Sequence, residues 1–373
     1  MNRIEAHTQD LYKLRFSPMC KPAGEVANLT QRESHTVRAR MIMLWRIAVG
    51  HLPWGPREVE LLYQSTLDSI SEAFDVFHYP ISRYMLDARA DVWDANLAPE
   101  SVKRAVENSA KATPTPPPSL NPGEGLVLAS EIAQLNHESM VNTLQSALNG
   151  SDIKAQIWLT PSGALAYTLG AWEIARQQAQ RVIDGLKTSQ AGRVIVDGPE
   201  TAWALTKIYP ALGLALPAGM TVELCSERLL DSRPEARQLL GKVCVHDSRP
   251  AYLIAEQLPN HLAILPGYTA DENAFGDGTV YEAPRRLLDE LGAERVFGTW
   301  TRGLAKSCGA DDGLWLTYPD LAAGLARQRL DYAREIGADR LVTDSPLCAA
   351  YLKDQRQPHH PAVIWLPELL IKA

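Results

Sequence analysis

What this chain lacks narrows its class quickly. No apolar run reaches the roughly 18 residues needed to cross a bilayer, and the opening MNRIEAHTQDLYKLRF has no basic-then-apolar leader pattern. Both absences point to a cytoplasmic protein without a transmembrane segment, leaving peripheral attachment to the inner face of a membrane through partners open. There is no basic excess either: 37 Lys and Arg stand against 44 Asp and Glu, net -7, with the cations scattered among acids, so the electrostatic footprint of nucleic-acid binding is missing. Cysteine is scarce. Cys20, Cys225, Cys244, Cys308 and Cys348 are odd in number and widely spaced, which fits a reducing compartment better than a disulfide framework. CxxC, HExxH, P-loop and GxGxxG patterns are all absent.

What is present is a chain of 373 residues, 46% of them hydrophobic, long enough to bury more than one core. The proline-rich segment KATPTPPPSLNPGEG (111–125) cannot sit inside a regular element and predicts a linker. Before it, residues 1–110 carry apolar side chains at helical spacing in ESHTVRARMIMLWRIAVG, PREVELLYQSTLDSISEAF and APESVKRAVENSAK, which predicts a mainly α domain. After it, LVLASEIAQLNHESMVNTLQSAL reads as helix. The runs AQIWL, GRVIV, MTVEL, HLAIL, DRLVT and AVIWL then read as strands alternating with helices, the pattern of parallel sheets with helical crossovers.

This second region is duplicated. Arg193, Asp197, Pro199, Ala202 and Leu205 recur at one fixed offset as Arg340, Asp344, Pro346, Ala349 and Leu352, and in the preceding helix Ala179 and Asp184 recur as Ala326 and Asp331. Each copy closes with a related strand and helix, VELCSERLL and VIWLPELLI. The expected fold is therefore α+β overall: a helical domain over 1–110, a linker over 111–125, and two α/β repeats with parallel strands over 126–260 and 261–373.

The stretches VYEAPRRLLDELGAERV and KSCGADDGLWLTYPDLAAGLARQRLDYAREIGADRLVTDSPLC, with the duplicated segments, resemble the iron-sulfur subunits of flavin-linked dehydrogenases for glycolate, D-lactate and glycerol-3-phosphate, related to heterodisulfide reductase. In that family a two-cluster ferredoxin-like domain precedes two cysteine-rich CCG repeats that transfer electrons. The resemblance implies cluster ligands at positions that this chain has largely changed. In the second repeat they fall on Glu272, on Ser307 and Cys308 before Gly309, and on Ser345 and Cys348; in the first, on Gly198 and Thr201. In the helical domain they fall on Leu14, Ser17, Cys20 and Gly24, and on Ser65, Asp68, Ser71 and Asp75. Hydroxyls and carboxylates are harder, poorer ligands than thiolates for sulfide-bridged iron.

The resemblance thus implies a degenerate member, a pseudoenzyme-like structural or assembly subunit with no cofactor. Its expected partners are a flavin-dependent dehydrogenase subunit, a cluster-bearing paralogous subunit, or both. The alternative is an electron-transfer subunit retaining one atypical iron-sulfur cluster or metal ion at Cys308, Cys348 and Glu272. A third reading is a ligand-binding protein that uses emptied cluster cavities, with Leu14 as filling. On their own, Ser65, Asp68, Ser71 and Asp75 read as surface or capping residues, Asp311 and Asp312 as a solvated turn, and His359 and His360 as surface histidines. Cys225 and Cys244 read as buried strand residues, and no histidine stands near Cys308 or Cys348 in the sequence.

Overall fold

The computed structural model describes residues 2–16, 23–75, 79–111, 115–121, 123–135, 137–232, 241–255 and 279–370. Glu272, Ser17, Cys20 and the run HLAIL lie outside the described residues.

The amino-terminal region is helical, as expected. Helix Val37–Ala48 starts where the Thr36 hydroxyl accepts the Ala39 N–H at 3.2 Å, and buries Val37, Met41, Leu44 and Ile47 against helix Thr8–Leu14. Pro56 opens helix Pro56–Tyr63, a position where the missing N–H costs nothing. The last helix of the region, Glu100–Lys111, turns Val102, Ala105 and Val106 inward and ends where the proline-rich segment begins. Thr115 ties that segment to the next region: its N–H and hydroxyl reach the Leu159 carbonyl, and Trp158 Nε1 donates to the Thr115 carbonyl at 2.7 Å.

Two four-stranded parallel sheets follow. The first holds β1 (Gly125–Leu128), β2 (Ala155–Trp158), β3 (Arg193–Val196) and β4 (Thr221–Leu224); the second holds β5 (Lys242–His246), β6 (Glu294–Arg295), β7 (Arg340–Thr343) and β8 (Ala362–Trp365). The spatial orders are β2-β1-β3-β4 and β6-β5-β7-β8, so the duplication extends to the topology. Their central runs, such as Leu126 to Leu128 and Val194 to Val196, are fully apolar because crossover helices cover both faces.

Three assignments differ from the sequence reading. LVL begins β1 and not a helix; its helices are Ser130–Leu135 and Glu138–Gly150, because a short apolar run buried on both faces has no period that separates strand from helix. The second unit begins at β5, so the boundary placed at 260/261 moves back to between Asp231 and Lys242. Cys244 is a strand residue, but Cys225 opens helix Cys225–Asp231, still buried.

The units are laced together by exchanged helices. Helix Ser130–Leu135, after β1, packs on helix Pro346–Gln355, after β7; helix Arg249–Ile254, after β5, packs on helix Pro199–Trp203, after β3. The carboxyl ends of the two sheets therefore face each other, the place where open parallel sheets build their sites.

Candidate functional site

The pairing registers define equivalent positions in the two units. Val196 lies beside Leu128 in the first sheet, and its repeat mate Thr343 lies beside His246 in the second, so Leu128 and His246 correspond. This adds a repeat the sequence reading missed, with Val127, Ser130, Ala133 and Leu135 matching Val245, Ser248, Ala251 and Leu253. The turns after the second strands correspond too. Gly163 and Gly309 have φ of +92° and +85°, and a Cβ on them would meet the Ala175 carbonyl oxygen at 2.7 Å and that of Ala322 at 2.3 Å. Ser162 therefore stands where Cys308 does, and Thr201 where Cys348 does.

In the second unit four chemically active side chains converge. His246 ends β5, Cys308 precedes Gly309, Asp311 sits in the following 3-10 turn, and Cys348 is the third residue of helix Pro346–Gln355. The two sulfurs are 3.2 Å apart, Asp311 Oδ1 is 3.6 Å from Cys348 Sγ and Oδ2 is 3.9 Å from Cys308 Sγ. One donor atom from each of the four residues lies within 4.8 Å of all the others, and all four residues are buried. His246 Nδ1 accepts the Arg329 Nε–H at 3.1 Å, while Nε2 has no hydrogen-bond partner among the described residues. Burial pushes both thiols and the Asp311 carboxyl up and, together with the Arg329 charge, pulls His246 down to about 3. Without a ligand the site holds two thiols and a neutral imidazole.

Beside it runs a buried seam of acids. Glu131 accepts from the Ser345 hydroxyl at 2.5 Å and from the backbone N–H groups of Glu200 at 2.9 Å and Leu347 at 3.4 Å, which caps the first turns of helices from both units. Burial, then the charges of Asp197 and Glu200, push its carboxyl well above the usual range. Burial likewise raises Asp344 to about 7, against the Ser226 hydroxyl that donates to it at 2.6 Å, and Asp312 to about 6, against its contact with Arg249. Glu25, from the helical region, reaches Ser307 N–H and takes a 2.8 Å bond from Thr66 Oγ1; burial holds it near 7.

Most of the remaining described positions singled out by the resemblance are engaged with the protein itself. Leu14 is a core residue. Ser65 Oγ donates to the Leu62 carbonyl at 2.8 Å and accepts from Arg89 at 3.2 Å, and Asp68 takes two bonds, 3.1 and 3.0 Å, from Arg40. Asp75 accepts the Tyr79 N–H at 3.2 Å. These residues and Ser71 are buried and not the surface groups their composition suggested, while Asp68 and Asp75 do stand at the N-cap and C-cap of helix Ser69–Phe74, without a side-chain capping bond from Asp68. In the first unit Thr201 donates to Asp197 at 2.7 Å, and a Cβ on Gly198 would lie 2.3 Å from Glu131 Oε1, so the glutamate fills the space where Ser345 has its side chain. Asp311 and Asp312, expected in a solvated turn, are buried as well, and so is His360, whereas His359 is exposed.

A cubane does not suit these residues. At the implied positions among the described residues the helical region and the first unit present carboxylates, hydroxyls and apolar groups, and in the second unit the two sulfurs are too close to serve different irons of one cluster. Sequence reasoning paired Cys308 with Cys348 but missed His246 and Asp311. The one available signal was the match of VLASEIAQL with VHDSRPAYL, which aligns His246 with Leu128.

No known family profile matches the chain, and no curated protein does. A crystal structure of a hypothetical protein from Helicobacter pylori is similar in fold, with a TM-score of 0.59 at 10% identity over 98% of this chain and 75% of that one.

Proposed function

We propose that this chain is a non-catalytic assembly subunit of a multi-subunit redox complex, derived from an iron-sulfur electron-transfer subunit. Its partners would be a flavin-dependent dehydrogenase subunit, a cluster-bearing paralogous subunit, or both. The observation that carries this reading is the fate of the inherited ligand positions in the helical region. Where the family places thiolates on iron, this chain has Asp68 bound by Arg40 and Ser65 bound by Arg89, with both arginines fully buried. A guanidinium with several donors can cross-link loops as a metal does, by charge-assisted hydrogen bonds in a fixed fork. The scaffold is kept while the means of carrying an electron is given up.

Co-purification tests this. The untagged chain should elute well above its 41.1 kDa together with a flavin-absorbing protein, and its deletion should lower the partner's amount or assembly while the isolated chain shows no dye-reducing activity. A lone monomer that leaves the partner's assembly unchanged overturns the reading.

The convergence of Cys308 and Cys348 favours a second reading, an electron-transfer subunit with one atypical centre. Iron with acid-labile sulfide, and a reversible one-electron spectral change in the purified chain, would establish it in place of the first.

A further inference from the structure

We propose that Cys308, Cys348 and Asp311 form a mononuclear site for a thiophilic divalent cation, zinc in the first instance, with His246 as a proton donor into the site and not as a ligand. Two thiolates on one tetrahedral zinc, with bonds of about 2.3 Å, stand about 3.8 Å apart. The observed 3.2 Å between the sulfurs needs only a small opening to reach that spacing, and a carboxylate oxygen already lies 3.6 Å from one sulfur and 3.9 Å from the other. All three side chains come from short turns and a helix start that strongly anchored elements hold in place. Gly309 is pressed on the Ala322 carbonyl, Ser345 Oγ accepts the Cys348 N–H at 3.1 Å, and Ser307 Oγ accepts the Gly309 N–H at 2.9 Å.

The role of His246 follows from its tautomer. Arg329 donates to Nδ1, so Nδ1 must be the bare nitrogen and Nε2 carries the proton. A ring held in that form cannot offer Nε2 to a cation without becoming imidazolate. It can donate Nε2–H, a buried donor with no partner among the described residues, to thiolate sulfur. That donor, with Arg329 behind it, would balance the excess negative charge of two thiolates and a carboxylate around one dication. Binding displaces the two thiol protons, which return to solvent. At the matching places of the first unit stand Leu128, Ser162 and Thr201, so the site belongs to the second unit alone.

The experiment uses the full chain, stripped with a chelator, dialysed and titrated with Co2+ as a spectroscopic stand-in for Zn2+. One equivalent should give a near-ultraviolet sulfur-to-cobalt band and the visible bands of a tetrahedral centre with water as its fourth ligand, and one equivalent of Zn2+ should erase both. The double variant Cys308→Ser with Cys348→Ser should lose the bands, whereas Cys225→Ser, a buried thiol elsewhere, should keep them. Asp311→Asn should weaken uptake. His246→Gln should retain the bands with affinity lower by about 10- to 100-fold, the effect of removing an outer-shell partner. Independently of any variant, Zn2+ uptake by the wild-type chain should release about two protons per ion in unbuffered solution. Folded wild type that takes up no cobalt, uptake unchanged in the double variant, or stoichiometric iron with acid-labile sulfide each overturns the proposal. The site and the assembly role fail separately: a metal-free chain that still binds its flavoprotein removes only the site.

Discussion

At the carboxyl end of β1 stands Leu128; at the same place on β5 stands His246. Around the first cluster Ser162 and Thr201, around the second Cys308 and Cys348, on backbones that share strand order, helix exchange and a glycine pressed on a carbonyl. At these matched positions the difference lies in the side chains, and it teaches what the architecture itself requires. Polar groups where two sheets meet end to end must be satisfied, and the first unit does this with Thr201 on Asp197 and with Glu131. Nothing in that requirement calls for sulfur, so the second unit's two thiols and imidazole are an addition that packing alone does not explain.

The units also cross the interface with unlike groups, a buried carboxyl and a guanidinium. Glu131 and Arg249 hold equivalent places: the first caps a helix of the other unit through Ser345 and Leu347, and the second lies over the Trp203 ring and contacts Asp312. Breaking each should separate their contributions. Arg249→Ala strands the buried Asp312 carboxylate and should cost about 3–5 kcal/mol, the largest effect, read from the urea midpoint. Glu131→Ala strands neutral donors and should cost about 1–3 kcal/mol. Equal losses would show that the two crossings do not differ by charge.

The shared backbone can be probed next. Gly309→Ala and Gly163→Ala should each destabilise by about 1–3 kcal/mol through left-handed strain. Gly309 should lose more, because its added carbon would be 2.3 Å from a carbonyl oxygen against 2.7 Å at Gly163. A reversed order in thermal melts would mean that the two turns relax differently and the equivalence is only approximate.

The seam predicts a pH dependence of a particular sign. Asp344 titrates at about 7 in the folded chain against an ordinary 3.8. Over that interval the folded state holds a proton that the unfolded chain has released, so stability falls as pH rises from about 4 to about 7. Asp344→Asn should flatten part of that slope, leaving the share of Glu200, which burial also places near 7. Stability that climbs through this window in the wild type would contradict the buried, protonated seam. The slope is measured as the difference between two denaturation series.

The match of Arg193 to Leu205 with Arg340 to Leu352 was readable as a repeat because both copies need the same strand, proline-opened helix start and inward alanine. The match of VLASEIAQL with VHDSRPAYL was not, since Leu128 and His246, and Ala129 and Asp247, pair an apolar with a polar residue, and Glu131 and Arg249 pair an acid with a base. Only strand register aligns them. The buried state of Asp68, Asp311 and Asp312 was equally hidden. Composition places such residues in turns, and it took Arg40 and Arg249, distant in sequence, to hold two of them inside.

By itself, then, the sequence determined a helical region and a duplicated α/β region with parallel strands, which rest on periodicity and self-similarity along the chain, while the pairing of Cys308 with Cys348 rested on the family resemblance. Tertiary structure alone decided the unit boundary, the helix exchange, and the arrival of His246 and Asp311 beside the thiols. Those depend on which strand ends meet across a shared core, and no local pattern encodes that meeting.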